Sequence, residues 1–209
     1  MQRPRAPRGR HGLRFLALAL AAALAPTAFA DPLKAPALTG PGSIAYDAEA
    51  IYIAGRLHDR SPVTTRLGRR DMATSSSDWF SIALDSFFDR RTAFVFEVNP
   101  SGVRRDSIIS GRSDSGDLAW DAVWDAATSI DADGWTAEIR VPFSQLGFAP
   151  AEEQTWGLQL ARTINRRQEE AWFAFTPKSG QAGVPAYGDL TGLRGVRPGR
   201  RLELLPYAV

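Results

Sequence analysis

From Ile44 to Phe175 the chain alternates apolar and polar residues in short runs; no stretch of it keeps a helical repeat. Ile51, Ile53 and Leu57 alternate with Tyr52, Arg56 and His58. Phe80, Ile82 and Leu84 alternate with Trp79, Ser81 and Asp85; Phe94, Phe96 and Val98 alternate with Val95, Glu97 and Asn99. Trp135, Ala137, Ile139 and Val141 alternate with Thr136, Glu138 and Arg140, and Trp156, Leu158 and Leu160 flank Gln159. A short run ends in Phe173 and Phe175. A period of two puts each apolar set on one face of a strand. Roughly eight to ten such strands, punctuated by Gly, Pro, Asp and Asn, predict an all-β fold, an antiparallel β-sandwich or jelly roll. Asp131-Ala132-Asp133-Gly134 reads as a hairpin turn and Pro142–Leu146 as the one helical turn. There is no internal repeat and no heptad pattern.

The segment Asp78–Asp106 carries the most information. Two alternating runs flank an acidic and basic connection, and the second run ends in the turn Asn99-Pro100-Ser101-Gly102. That is an antiparallel pair with polar residues gathered at its ends.

The chain's beginning reads differently. Arg3, Arg5, Arg8, Arg10 and Arg14 precede an apolar run from Phe15 to Leu24, which is too short for a stable membrane span. Pro26 breaks that run, and Ala28-Phe29-Ala30 has the form of a cleavage site before Asp31. Residues 1–30 are therefore expected to be a secretory signal peptide, 31–43 a Pro/Gly-rich leader, and 44–209 the folded domain. This changes the charge argument. The chain has 25 Lys+Arg against 23 Asp+Glu; five of those bases and none of the acids lie in residues 1–30, leaving 20 against 23, or −3. A mildly acidic mature chain gives no footprint for nucleic acid. The pairs Arg69-Arg70, Arg90-Arg91, Arg104-Arg105, Arg166-Arg167 and Arg200-Arg201 read as solvated edges or ion pairs. Cysteine is absent, so a periplasmic or envelope domain of this size must rest on its core alone.

Few catalytic chemistries survive the residue inventory. After Ala30 the only histidine is His58, and there is no Gly-x-Ser-x-Gly elbow and no cysteine nucleophile. A glycosidase needs two opposed carboxylates. Asp85, Asp106, Glu97 and Glu138 are available, but their number in an acid-rich chain carries no signal, so no enzyme is expected. Haem would have only His58 and Met72 as axial ligands, and zinc lacks its donors. Structural Ca²⁺ is the one metal whose ligand chemistry is present, near Asp114, Asp117, Asp131 and Asp133; these acids read equally as turn formers.

Aromatic residues are the strongest remaining signal. Six tryptophans follow the signal peptide. An aromatic face stacks on the C–H face of a pyranose while polar neighbours bind its hydroxyls. Trp135 and Trp156 are in phase with core positions. Trp120 and Trp124, four apart with Ala122 between them, share a strand face; Trp79 shares one with Ser81 and Asp85. These three read as stacking residues or as core.

The ordered segments YDAEAIYIAGRLHD, SDWFSIALDSFFDRRTAFVFEVNPSGVRRD, WDAVWDAAT, DGWTAEIRVPFSQLGF and TWGLQLARTINRRQEEAWF together resemble the family-nine carbohydrate-binding modules, over about Ile44–Pro206. The nearest form is the module at the N-terminus of bacterial envelope proteins that continue into an outer-membrane β-barrel. The resemblance implies a jelly-roll sandwich, carbohydrate binding, and a link to polysaccharide breakdown or uptake. It implies stacking roles for Trp124 and Trp172 and places Asp85, Arg91 and Asn99 in the most recognisable motif. The expected ligand-binding set is Trp79, Trp120, Trp124, Trp172, Asp85, Arg91 and Asn99. The family's first strands and its barrel are not matched, so an unpaired sheet edge is expected. The alternative is an envelope domain without a sugar site that packs on or gates such a barrel.

Overall fold

The computed structural model describes residues 14–16, 43–110, 116–175 and 183–199. It contains eleven strands, four short 3₁₀ turns and, among the described residues, no α-helix. The strands are β1 (Arg14–Leu16), β2 (Ser43–Tyr46), β3 (Ala50–His58), β4 (Trp79–Asp85), β5 (Thr92–Val98), β6 (Arg104–Ser110), β7 (Asp125–Asp131), β8 (Gly134–Pro142), β9 (Glu153–Ile164), β10 (Glu169–Trp172) and β11 (Gly188–Arg194). Sheet I runs β1-β2-β3-β8-β7, and sheet II runs β10-β9-β4-β5-β6. β11 also pairs with β9, along its first half, while β10 takes the second half. All pairings between the strands are antiparallel. β1 falls inside the segment read as a signal peptide; the rest of that segment and the leader to Gly42 lie outside the described residues, as does everything after Gly199.

The expected inward phases are the observed ones. Ile51, Ile53 and Leu57 of β3 and Trp135, Ala137, Ile139 and Val141 of β8 meet Phe80, Ile82 and Leu84 of β4, Phe94, Phe96 and Val98 of β5, and Trp156, Leu158 and Leu160 of β9 in one core. Burying each large side chain of this set stabilises the fold by about 1.5–3 kcal/mol. The sheets approach closely where Gly55 faces Phe80. A Cβ at Gly55 would stand 2.9 Å from the ring's Cζ, so the position has no room for a side chain. The turn at 131–134 and the 3₁₀ turn Phe143–Gln145 also form where the sequence places them.

A buried ion cluster closes one end of the sandwich. Arg162, in the inward phase of β9, donates to the His58 carbonyl at 2.7 Å and to Asp59 at 3.0 Å. Arg166 adds a two-pronged contact to Asp59 at 2.7 and 2.8 Å. Sheet II is thereby tied to the end of β3 through Arg162 and Asp59, whose side chains are almost entirely removed from water, with Arg166 reaching in from the surface.

Candidate functional site

The outer face of sheet II is covered at both ends and open between them. Pairing fixes three rows across it. In the first, Trp79 of β4 aligns with Thr163 of β9. The Trp79 indole N–H donates to the Thr74 carbonyl at 3.1 Å, so the Thr74–Ser76 turn lies against it and the ring is fully buried. In the third row Gln159, Ala83, Val95 and Ser107 align. Val184 and Tyr187 pack on Ala83, Ala93 and Val95 there. Gln159 fastens the start of that cover, donating to the Ala174 carbonyl at 2.9 Å and accepting from its N–H at 2.7 Å.

The middle row is the least covered: Trp172 is exposed, Ala161, Ser81 and Arg105 are half-buried, and Glu97 is largely buried. It runs Trp172–Ala161–Ser81–Glu97–Arg105 across five strands. Trp172 is 43% exposed, whereas Trp79, Trp124, Trp135 and Trp156 are at most 1% exposed. Ala161 and Ser81 are small, so a trough two strands wide separates the indole from Glu97. At ~4.8 Å between strands, the backbones carrying Trp172 and Glu97 stand ~14 Å apart. At the far side Glu97 accepts from Ser81 Oγ at 2.9 Å and from Arg105 at 2.6 Å. Burial pushes the Glu97 carboxyl above its ordinary range; Arg105 and Ser81 oppose this without cancelling it. Phe173 and Phe175, which follow Trp172 in the chain, are exposed as well. An aromatic wall, a floor of small residues and a fixed set of donors and acceptors is an arrangement that holds a flat polar ring by one face and its rim.

Four of the seven expected ligand-binding residues take structural roles instead. Trp79 is buried as described. Trp124 packs edge-on against Phe96 at 5.3 Å and donates its indole N–H to Asp106 at 3.2 Å. Asp85 is buried and closes the β4–β5 connection by accepting the N–H groups of Asp89 and Arg90; burial nevertheless holds its carboxyl above the ordinary range. Asn99 is buried too, accepting the N–H groups of Ser101 and Val103 and donating to the Arg66 carbonyl at 2.8 Å. None of these offers a free face or a free polar atom to a ligand. Trp120 is half-buried against Phe94 and Phe96. It and Trp124 precede β7 in an extended segment outside the sheet, and their shared direction is inward. Arg91 is exposed at the β4–β5 connection, away from the open row. Trp172 alone of the set stands in the trough.

The described acids named for calcium stand apart in the fold. Among the described residues no three of His, Cys, Asp and Glu come together as a cage. Asp131 is held by Arg56 at 2.5 Å in the β7–β8 turn of sheet I, while Asp117 bridges to Ile108 beside sheet II. Asp114 lies outside the described residues. Among the described arginine pairs both readings occur: Arg70 pairs with Asp106, Arg90 with Asp189, Arg104 with Asp125, Arg105 with Glu97, Arg166 with Asp59 and Arg167 with Glu169, whereas Arg69 and Arg91 are exposed; Arg200-Arg201 lies outside the described residues.

Two other concavities lack an exposed indole. One of about 490 Å³ lies on the outer face of sheet I, lined by Ala45, Ala54, Ala127, Glu138 and Tyr52. Its aromatic ring lies under Arg140 and its hydroxyl is committed to Asp47 at 2.9 Å. The other, of about 740 Å³, is formed by 150–152 and 194–198 and contains no aromatic residue.

The architecture is a two-sheet antiparallel β-sandwich. No family model matches the chain, and no curated protein does. Solved structures do. A family-nine carbohydrate-binding module from Caldicellulosiruptor kristjanssonii, in complex with cellotriose, superposes with a TM-score of 0.52 at 16% identity, covering 80% of this chain and 79% of that one. The same organism's module in complex with glucose gives 0.51 at 17% identity over 82% and 86%. A candidate carbohydrate-binding protein from Bacteroides uniformis gives 0.55 at 9% identity over 86% and 85%. The chain has the family-nine fold.

Proposed function

We propose that this chain is an exported glycan-binding domain whose site is the open row Trp172–Ala161–Ser81–Glu97–Arg105. The observation that carries the reading is Trp172, an indole left open to solvent in line with a small-residue trough and a fixed Ser81–Glu97–Arg105 set. A pyranose lies flat on the indole, and its hydroxyls meet the Ser81 and Glu97 end. No bond is broken: the domain holds the glycan for catalysis or uptake carried out elsewhere. The sandwich shared with modules solved with glucose and cellotriose supports the class of ligand. Export to the periplasm or envelope rests on the arginine-rich start, the apolar run and Ala28-Phe29-Ala30; a role in polysaccharide catabolism rests on the resemblance to the family-nine modules alone. No helix among the described residues is long and apolar enough to cross a membrane.

The test is calorimetry and affinity electrophoresis of the chain from Asp31 onward against xylan, cellulose and mono- and disaccharides. Binding at micromolar to millimolar concentration is expected. Absence of binding up to millimolar sugar by a folded sample contradicts the proposal.

A further inference from the structure

Glu170 gives the trough a charge that no cation among the described residues balances. It shares a face of β10 with Trp172, and its Oε2 accepts the Trp172 indole N–H at 3.3 Å. Its side chain is exposed, and among the described residues no arginine or lysine pairs with it. The cation of the open row, Arg105, is already paired with Glu97. The neighbouring Glu169 has the opposite phase on β10 and is held by Arg167 at 3.1 Å. Arg162 lies in the core on the other side of the sheet. The charge of Glu170 also acts across the trough. Burial is the main cause that raises the Glu97 carboxyl, and Glu170 pushes it in the same direction.

We infer that the trough prefers a glycan carrying a protonated amino group, a 2-amino-2-deoxy pyranose, over its neutral counterpart and disfavours uronates, with Glu170 as the discriminating residue. The inference rests on the glycan reading of the row. An ammonium beside the stacked face would gain a charge-assisted hydrogen bond to Glu170, whereas a uronate would meet an unbalanced like charge. Because Glu170 is exposed, the discrimination is modest, about two- to fivefold in affinity.

Three linear probes separate the possibilities: cellotriose, the fully deacetylated β-1,4-linked glucosamine trimer, and trigalacturonic acid. The first two share a linkage and differ only at C2. At low salt the glucosamine trimer should bind about two- to fivefold tighter than cellotriose, and trigalacturonic acid should bind weakest. Added salt should narrow the gap. Glu170→Gln, which keeps an acceptor for the indole N–H, should abolish the gap, with the glucosamine trimer falling to the affinity that the same variant shows for cellotriose. Equal affinities in the wild type, or a gap that persists in Glu170→Gln, overturn this inference while the glycan reading stands. Failure of all three probes to bind the folded wild type overturns this inference, and failure of xylan, cellulose and the mono- and disaccharides as well overturns both.

Discussion

Ala161 on β9 is paired with Ser81 on β4, and these two small side chains form the gap between Trp172 and Glu97. The gap exists because both positions fall in the outward phase of their strands, while Leu160 and Ile82 fill the core on the other side. Ala161→Phe should therefore fill the trough without disturbing the core. Glycan affinity should drop by tenfold or more, with the melting temperature within a few degrees of wild type. Parallel binding and thermal-unfolding measurements check this. Unchanged affinity would place the ligand elsewhere.

Gly55 is the counterpart on the inner face. With Phe80 Cζ 2.9 Å from where a Cβ would stand, Gly55→Ala forces the ring or the sheet to shift. Overpacking of this kind costs about 1–3 kcal/mol, read as a lower denaturation midpoint with an unchanged denaturant slope.

Asp59 predicts how stability depends on pH. Burial works to raise its carboxyl, but the hydrogen bonds from Arg166 and Ser61 and the charges of Arg166 and Arg162 outweigh burial, so it sits below its ordinary value of 3.8. A lowered folded pKa supplies stability that is complete above the unfolded value and is lost as pH falls through the folded one. Asp59→Asn strips the closest counter-charge from buried Arg162 and should cost about 3 kcal/mol at pH 7. The difference from wild type should shrink as pH falls below about 4. Urea unfolding at several pH values checks this.

Asp106 anchors the tryptophan-bearing segment ahead of β7. Its carboxylate accepts the Ala122 N–H at 2.7 Å and the Trp124 indole N–H at 3.2 Å, and it pairs with Arg70. Asp106→Ala leaves those donors unanswered in a buried place and should cost about 3 kcal/mol. Tryptophan fluorescence should shift to longer wavelength as the 120–124 segment loosens. An unshifted spectrum with native stability would contradict the anchoring role.

The inward face of every central strand was legible because period two is a local property: Ile51, Phe80, Phe94 and Trp135 each declare their side through their own neighbours. The division of labour among the tryptophans was not legible from alternation. Trp79 has the outward phase of β4, but the Thr74–Ser76 turn just ahead of it folds back onto the ring, and the period-two pattern around Trp79 does not signal that cover. Trp120, Ala122 and Trp124 do alternate as a strand would, yet they point inward from a segment that joins no sheet. Asp85 and Asn99 lie in the recognisable motif because they build its turns. The Trp172–Ala161–Ser81–Glu97–Arg105 row depends on the pairing of five strands, and sequence spacing does not fix that register. Ser81, Arg105, Ala161 and Glu170 were not singled out from the sequence for that reason.

The most direct test of the central claim is to follow the six indole N–H signals of the ¹⁵N-labelled chain during titration with cellotriose. Trp172 should shift in a saturable way, while the buried Trp79, Trp124, Trp135 and Trp156 stay in place, and Trp172→Ala should abolish binding while keeping the other five signals. Saturable binding that leaves the Trp172 signal unmoved, or that survives Trp172→Ala, would contradict the account.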